Sequence, residues 1–287
     1  VANQTIACLR RLEKSPFMIT CSFNYPHDPN EIPSPYYEMF PPEAIQLPDN
    51  FGSREARFEK EWSRQIVTDL GEAGVREFLR LYYGAVKLID DQVGRILDAL
   101  EAAGRSENTI IIFTADHGDM AGGHGMVWKS TSSFYDEVVR APLIIRYPAQ
   151  VKPGKTDIAA GLTDVMPTLL DFAGHPIPDH VQGYNLAPYL RGERETGIPD
   201  YTFCERVRPN PERTRTITDD TTASFMVRGR GWKYIRYSNG EEFLYDLMND
   251  PGETRNLAGE ESFQESKIEL RRELGAWLLA TGYPDSN

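Results

Sequence analysis

Apolar residues recur along the 287-residue chain at both strand and helix spacing, and their order predicts its elements. Ile110 to Phe113 is a continuous apolar run, which is typical of a strand buried in a parallel sheet. Apolar residues from Val86 to Leu100 follow helical spacing, and Gly104 is placed to end that helix. Pro142 to Tyr147 predicts a second buried strand, so a helix-to-strand unit of α/β type is expected here.

The flanking segments extend this prediction. Phe17 to Phe23 predicts a third buried strand, and the Pro-rich stretch 24–50 predicts a long surface loop. After about Arg191 the pattern changes to short strands followed by one amphipathic helix, which predicts a small α+β subdomain. Its predicted elements are a hairpin of 224–227 and 232–237, a strand at 242–246 and a helix at 262–280, after a loop at 205–222.

Composition narrows the class of protein. The net charge is −12 and the pI is near 5.0, so a surface that coats nucleic acid is not expected. No apolar run reaches membrane-spanning length, and no signal peptide is visible in a sequence that begins at Val1. Three cysteines without a C-x-x-C pair argue against a disulfide framework and a thiolate metal site.

Candidate chemistry follows the first predicted strand directly. Asp116 and His117 stand side by side before Gly118, at the end of a strand where open α/β sheets place ligands. A carboxylate next to an imidazole suits a divalent cation. Lys129, thirteen residues after Asp116, can hold an anion beside such a cation.

Four segments together resemble the sulfatase family of the alkaline phosphatase-like superfamily. They are Ser22–Pro29, Thr114–Met120 with Gly123, His124, Gly125 and Lys129, Arg140–Pro148, and Tyr245–Ala258. The resemblance implies an α/β fold with a mixed, mostly parallel sheet flanked by helices, and a C-terminal subdomain of antiparallel sheet plus helix. Residues 1–195 would then be the C-terminal part of the catalytic domain, and 196–287 the small subdomain.

The chain departs from the family pattern at its start. Family members carry two early acidic metal ligands and a Cys or Ser, in a C/S-x-P/A-x-R setting, that matures to formylglycine. Neither feature is found here, and Cys204 lacks the Pro or Ala and follows the metal loop. The resemblance therefore implies a longer protein whose missing N-terminal segment supplies the nucleophile, and we expect these 287 residues alone to be inactive.

The resemblance also assigns roles to residues of this chain. Asp116 and His117 would ligate a divalent metal, which in the family is usually Ca²⁺. Alternatively, His117 would hydrogen-bond at the nucleophile. His27 and Lys129 would contact the sulfate, and one of them would protonate the leaving alkoxide. His124 is a candidate substrate contact, or else a loop residue that satisfies backbone groups. A basic run, Arg206, Arg208, Arg213 and Arg215, is either a solvated loop or a contact for multiply sulfated substrates.

The expected function is that of a sulfuric ester hydrolase acting on a small-molecule or saccharide sulfate. A phosphonate monoester or phosphodiester hydrolase of the same superfamily is the first alternative, and there an imidazole ligand favours Mn²⁺ or Zn²⁺. A non-catalytic, sulfatase-like binding protein is the second. Family resemblance favours a periplasmic or secreted location.

Overall fold

The computed structural model describes residues 1–12, 15–53, 61–129, 133–193, 199–207, 223–229, 231–237 and 239–282. Its helices include α1 (Ala2–Leu12), α2 (Glu61–Ala102), α3 (Asp136–Val139), α4 (Val165–Phe172), α5 (Ala187–Leu190) and α6 (Gln264–Ala280). Its strands include β1 (Ile111–Thr114), β2 (Leu143–Arg146), β3 (Thr202–Val207), β4 (Ala223–Arg228), β5 (Trp232–Arg236) and β6 (Glu242–Asp246). Within these residues, no helix has the length and apolar content that a bilayer crossing requires.

Helix α2 ends as the sequence predicts. Gly104 has φ +66°, and its N–H donates to the carbonyl of Glu101 at 2.8 Å. The N–H of Arg105 donates to Leu100 O at 3.1 Å, which completes a Schellman motif. The left-handed backbone explains why glycine stands at this position. Further up, the helix bends at Gly71, where the backbone is not helical.

The first sheet corrects two expectations. β1 and β2 form as predicted, but they pair antiparallel, with Ile112 opposite Ile145, and not as members of a parallel sheet. Neither is fully buried: Phe113 is 39% exposed and Ile144 is 59% exposed.

The predicted buried strand from Phe17 to Phe23 is wrong. The segment forms no ladder with any strand in the described part of the chain. Its residues alternate between half-buried and exposed, and Met18 lies on the exposed side. A stretch of β-favouring residues needs a partner strand to become a strand, because ladder hydrogen bonds join two segments.

The C-terminal subdomain confirms the predicted sheet plus helix. Strands β3, β4, β5 and β6 lie in that order and pair antiparallel. Successive residues face opposite sides of the sheet, so Met226 and Ile235 pack on one side while Phe225 and Tyr234 pack on the other, with α6. The predicted loop at 205–222 is wrong at its start, where β3 continues to Val207, and 208–222 lie outside the described residues.

The loop that follows β1 packs between the C-terminal sheet and α2. Met120 and Met126 pack with Phe134, Tyr135 and the inner face of the C-terminal sheet. Val127, next along the loop, packs with Val75 and Leu79 of α2. Residues from both sides of position 195 therefore share one core, and the domain boundary there stays a prediction.

Candidate functional site

Asp116 and His117 follow the end of β1, where Asp116 is exposed to solvent and His117 is half-buried. The Asp116 side chain is 89% exposed, and its Oδ2 lies 3.7 Å from Nε2 of His117. Nδ1 of His117 is 2.7 Å from the carbonyl oxygen of Gly118, so Nδ1 donates to that carbonyl and Nε2 is the ring nitrogen on the Asp116 side. A carboxylate oxygen and an imidazole nitrogen thus face one another with lone pairs available.

Close contact with α3 fixes where this pair stands. The N–H of Gly118 donates to the carbonyl of Val138 at 2.7 Å. A Cβ added at Gly118 would lie 2.0 Å from the carbonyl oxygen of Glu137, so only glycine fits at this approach. The position of α3 therefore sets the position of His117, which precedes Gly118 directly.

Asp119 closes the loop that follows, a role the sequence did not suggest. Its Oδ1 accepts hydrogen bonds from the backbone N–H of Ala121 at 2.8 Å and of Trp128 at 3.0 Å. Burial raises the pKa of Asp119, while the two N–H donors and the nearby His117 oppose that rise. The signal available in the sequence was an Asp two residues before an Ala-Gly-Gly turn, which is common Asx chemistry.

The loop backbone is held in an unusual form. Ala121, His124 and Trp128 all have positive φ, between 48° and 63°. Such values are uncommon for residues other than glycine and persist only where the surroundings enforce them. Ser63 of α2 supplies part of that enforcement, because its fully buried hydroxyl donates to Val127 O at 2.8 Å and accepts from Val127 N–H at 3.2 Å.

The loop brings Lys129 next to His27, which lies 102 residues away in sequence. Nζ of Lys129 lies 2.9 Å from Nε2 of His27. Nδ1 of His27 faces two acceptors of Asp28, the carbonyl at 2.8 Å and Oδ1 at 3.1 Å, so Nδ1 carries the proton. Nε2 then accepts from the Lys129 ammonium. The structure brings together the two residues that the resemblance assigns to the sulfate.

His124 occupies a different environment from His27 and Lys129. Its side chain is 0% exposed and stacks on Tyr135, with ring centroids 3.6 Å apart. Burial, with the positive charge of Arg64, lowers the pKa of His124 to about 4. The ring is therefore neutral at pH 7 and packed in the core, and its proposed substrate contact stays a prediction. Of the basic run, Arg208, Arg213 and Arg215 lie outside the described residues.

The donor set of Asp116 and His117 fits part of a divalent-cation site. A carboxylate suits Ca²⁺ and an imidazole suits Mn²⁺ or Zn²⁺, and Asp116 Oδ2 lies 3.7 Å from His117 Nε2. In the described ranges, no group of three or more His, Cys, Asp or Glu side chains forms a complete site. A cation held by these two side chains would need further oxygen or nitrogen donors.

Comparison with known proteins gives consistent matches. The family model described as Sulfatase matches residues 1–175, and the model described as N-sulphoglucosamine sulphohydrolase, C-terminal, matches residues 122–278. An arylsulfatase of Clostridium perfringens is 33% identical over 300 residues, covering 100% of this chain and 59% of the relative. A Delta 4,5-hexuronate-2-O-sulfatase of Bacteroides thetaiotaomicron is 31% identical, covering 96% of this chain and 60% of the relative.

A solved structure supports the fold independently. The phosphonate monoester hydrolase of Agrobacterium radiobacter superposes with a TM-score of 0.78 at 26% identity, covering 98% of this chain and 60% of that chain. The chain thus spans about three fifths of the length of the relatives it matches, 59% and 60% for the two sulfatases.

Proposed function

Because the chain belongs to the sulfatase family, we propose that it forms the C-terminal part of a sulfuric ester hydrolase. The observation that carries the proposal is the 2.9 Å contact between Lys129 Nζ and His27 Nε2, made by two residues from distant parts of the sequence. An ammonium and an imidazole at this distance can hold a sulfate oxygen and share one proton. The substrate class is a small-molecule or saccharide sulfate ester, as the names of the two sulfatase relatives suggest.

The residues of this chain would bind the sulfate and handle the leaving group. Lys129 is a compact positive charge that suits a tetrahedral anion without demanding bidentate geometry. His27 is held by Asp28 with Nε2 toward Lys129, so one proton lies between two nitrogens. Transfer of that proton to the departing alkoxide oxygen makes the pair the general acid, and the imidazole remains as the base that retrieves a proton.

Asp116 and His117 would hold a divalent cation, which we propose is Ca²⁺. Such an ion polarises sulfate oxygens and stabilises the charge that builds on them. The Asp116 side chain is 89% exposed and its Oδ2 lies 3.7 Å from Nε2 of His117, so an ion and its additional ligands can approach the pair from solvent.

We further propose that a segment preceding Val1 in the parent protein supplies the nucleophile and the remaining metal ligands. Support comes from the relatives, which extend beyond the matched region, and from the half-exposed apolar residues Phe113 and Ile144 on the β1–β2 sheet. A covering segment would remove these side chains from water. The 287 residues alone are then expected to show no turnover.

The test uses the parent protein and an aryl sulfate such as 4-nitrophenyl sulfate. Lys129→Ala should lower kcat/KM by roughly 100-fold or more, the usual contribution of a general acid. The matched control is Lys152→Ala, which removes an exposed lysine elsewhere and should leave the rate unchanged. Chelation of divalent metal should abolish turnover, and Ca²⁺ should restore it. Full activity in Lys129→Ala would overturn the proposal.

A phosphonate monoester hydrolase is the second candidate. It is favoured by the superposition on the Agrobacterium radiobacter enzyme and by an imidazole beside Asp116, which suits Mn²⁺ or Zn²⁺. Matched assays with 4-nitrophenyl sulfate and 4-nitrophenyl phenylphosphonate, each with Ca²⁺, Mn²⁺ and Zn²⁺, separate the two functions. A higher kcat/KM for the phosphonate, with Mn²⁺ or Zn²⁺ as the better ion, would replace the sulfatase proposal.

A further inference from the structure

A group of buried charges lies where the C-terminal sheet meets α3. The side chain of Lys233, on β5, is 0% exposed, although lysine is almost never fully buried without a partner. Its Nζ lies 2.6 Å from Asp136 Oδ1 and 2.7 Å from Glu253 Oε1, and it donates to the carbonyl of Phe134 at 2.9 Å. All three contacts of the ammonium are therefore made to groups of this interface.

The two carboxylates of this group have distinct tasks. Asp136 receives two hydrogen bonds from Arg228 of β4, at 2.8 Å and 3.1 Å. Burial opposes its ionisation, but Lys233 and Arg228 outweigh that effect and lower the pKa of Asp136 to about 2. Glu253 Oε2 accepts the backbone N–H of Asp136 at 2.6 Å and so satisfies the first turn of α3, which a nearby side chain would normally do.

Helix α3 connects this group of charges to the loop that follows β1. At its far end, the Val138 carbonyl accepts the N–H of Gly118, next to His117. In its middle, the carboxylate of Glu137 accepts from Asn50 Nδ2 at 2.7 Å, and Asn50 Nδ2 also reaches Gly252 O at 3.0 Å. Asn50 thus joins α3 to the residue before Glu253, and its own carbonyl accepts the N–H of His124.

We propose that Arg228, Lys233, Asp136 and Glu253, here termed the charge clamp, are positioning residues that set the place of Asp116 and His117. The C-terminal subdomain thereby acts on the candidate active site through α3. The catalytic meaning of this positioning rests on the proposed sulfatase function. A charged interface suits the task because its partners are fixed in direction as well as distance, whereas an apolar contact tolerates sliding.

The test compares clamp variants with a matched control in the parent protein. Glu253→Gln keeps an acceptor for the Asp136 N–H but removes the carboxyl that faces Lys233, an ionisable group whose pKa burial raises to about 7. Asn50→Ala removes the amide that joins Glu137 of α3 to Gly252, the residue before Glu253, and leaves the four clamp residues paired with one another. It serves where Glu253→Gln fails to fold. Glu242→Gln is the control, because Glu242 pairs with Lys267 and Tyr234 in the same subdomain.

Hydrogen exchange followed by mass spectrometry reads out the loop directly. In the clamp variants, the amides of Gly118, Met120 and Gly122 should exchange roughly tenfold faster, as expected for the loss of about 1.4 kcal/mol of local stability. In Glu242→Gln they should exchange at the wild-type rate. Activity should show a fall in kcat that exceeds any rise in KM, since the substrate contacts His27 and Lys129 remain.

The possible outcomes decide between the two claims. Wild-type loop exchange in Glu253→Gln, or in Asn50→Ala where Glu253→Gln fails to fold, would overturn the charge clamp, and so would equal acceleration in Glu242→Gln. If the parent protein cleaves no sulfate ester while loop exchange still responds to the clamp variants, the proposed function fails and the positioning role stands.

Discussion

Replacement of Gly118 by alanine tests the contact that fixes the Asp116–His117 pair. The added Cβ would lie 2.0 Å from the carbonyl oxygen of Glu137, whereas ordinary van der Waals contact begins at 3.4 Å. The loop and α3 must therefore separate by about 1.4 Å, the difference between these two distances. The obstructing atom belongs to the backbone, so no side-chain rotation can relieve the overlap.

The size of the effect follows from this displacement. A misplacement of about 1 Å in a catalytic constellation costs roughly 100-fold in rate, so kcat/KM should fall by at least that factor in Gly118→Ala. Overpacking of this kind also destabilises a fold by about 1–3 kcal/mol. The 2.7 Å hydrogen bond from Gly118 N–H to Val138 O should lengthen or break at the same time.

The assay is hydrolysis of an aryl sulfate by the parent protein, with thermal unfolding measured in parallel. Gly94→Ala is the matched control, because a Cβ at Gly94 within α2 meets nothing within 4 Å and alanine favours a helix. That variant should keep its rate and gain up to about 1 kcal/mol of stability. Wild-type kcat/KM and unfolding temperature in Gly118→Ala would refute the reasoning.

Two further predictions concern His124 and Ser63. Burial holds the pKa of His124 at about 4, below its usual 6.5, so the unfolded chain binds the extra proton first and folding stability falls as the pH drops from 6.5 towards 4. The shift corresponds to about 3 kcal/mol of unfolding free energy. His124→Asn tolerates the left-handed backbone, and it should flatten the fall in unfolding free energy, measured with urea, between pH 6.5 and pH 4. Parallel pH profiles for the variant and the wild type would contradict this prediction. Ser63→Ala should lower the free energy of unfolding in urea by about 1–3 kcal/mol, because it leaves buried backbone groups of Val127 without their partner. An unchanged urea midpoint would count against that contact.

The sequence pattern was enough to predict the elements whose hydrogen bonds join residues close together in the sequence. The end of α2 was predictable because Gly104 closes a Schellman motif within five residues. The β4–β5 hairpin was predictable because its strands are neighbours in sequence. The direction of β1–β2 pairing and the failure of 17–23 to pair were not, because each depends on which distant segment lies alongside.

The candidate site likewise contains residues that the sequence suggested and residues that it did not. Asp116, His117, His27 and Lys129 were identified because their types and surroundings resemble known motifs, and the structure brings His27 to Lys129. Asn50 was missed, since its partners stand 87 and 202 residues away and nothing in the loop 24–50 marks it. Lys233 was missed because an alternating strand pattern does not reveal which polar residue will be buried with a counter-charge.

The left-handed backbone of Ala121, His124 and Trp128 limits how this region can be redesigned. Libraries that randomise these codons will return mostly glycine, asparagine and aspartate, because β-branched side chains are excluded before any chemistry is sampled.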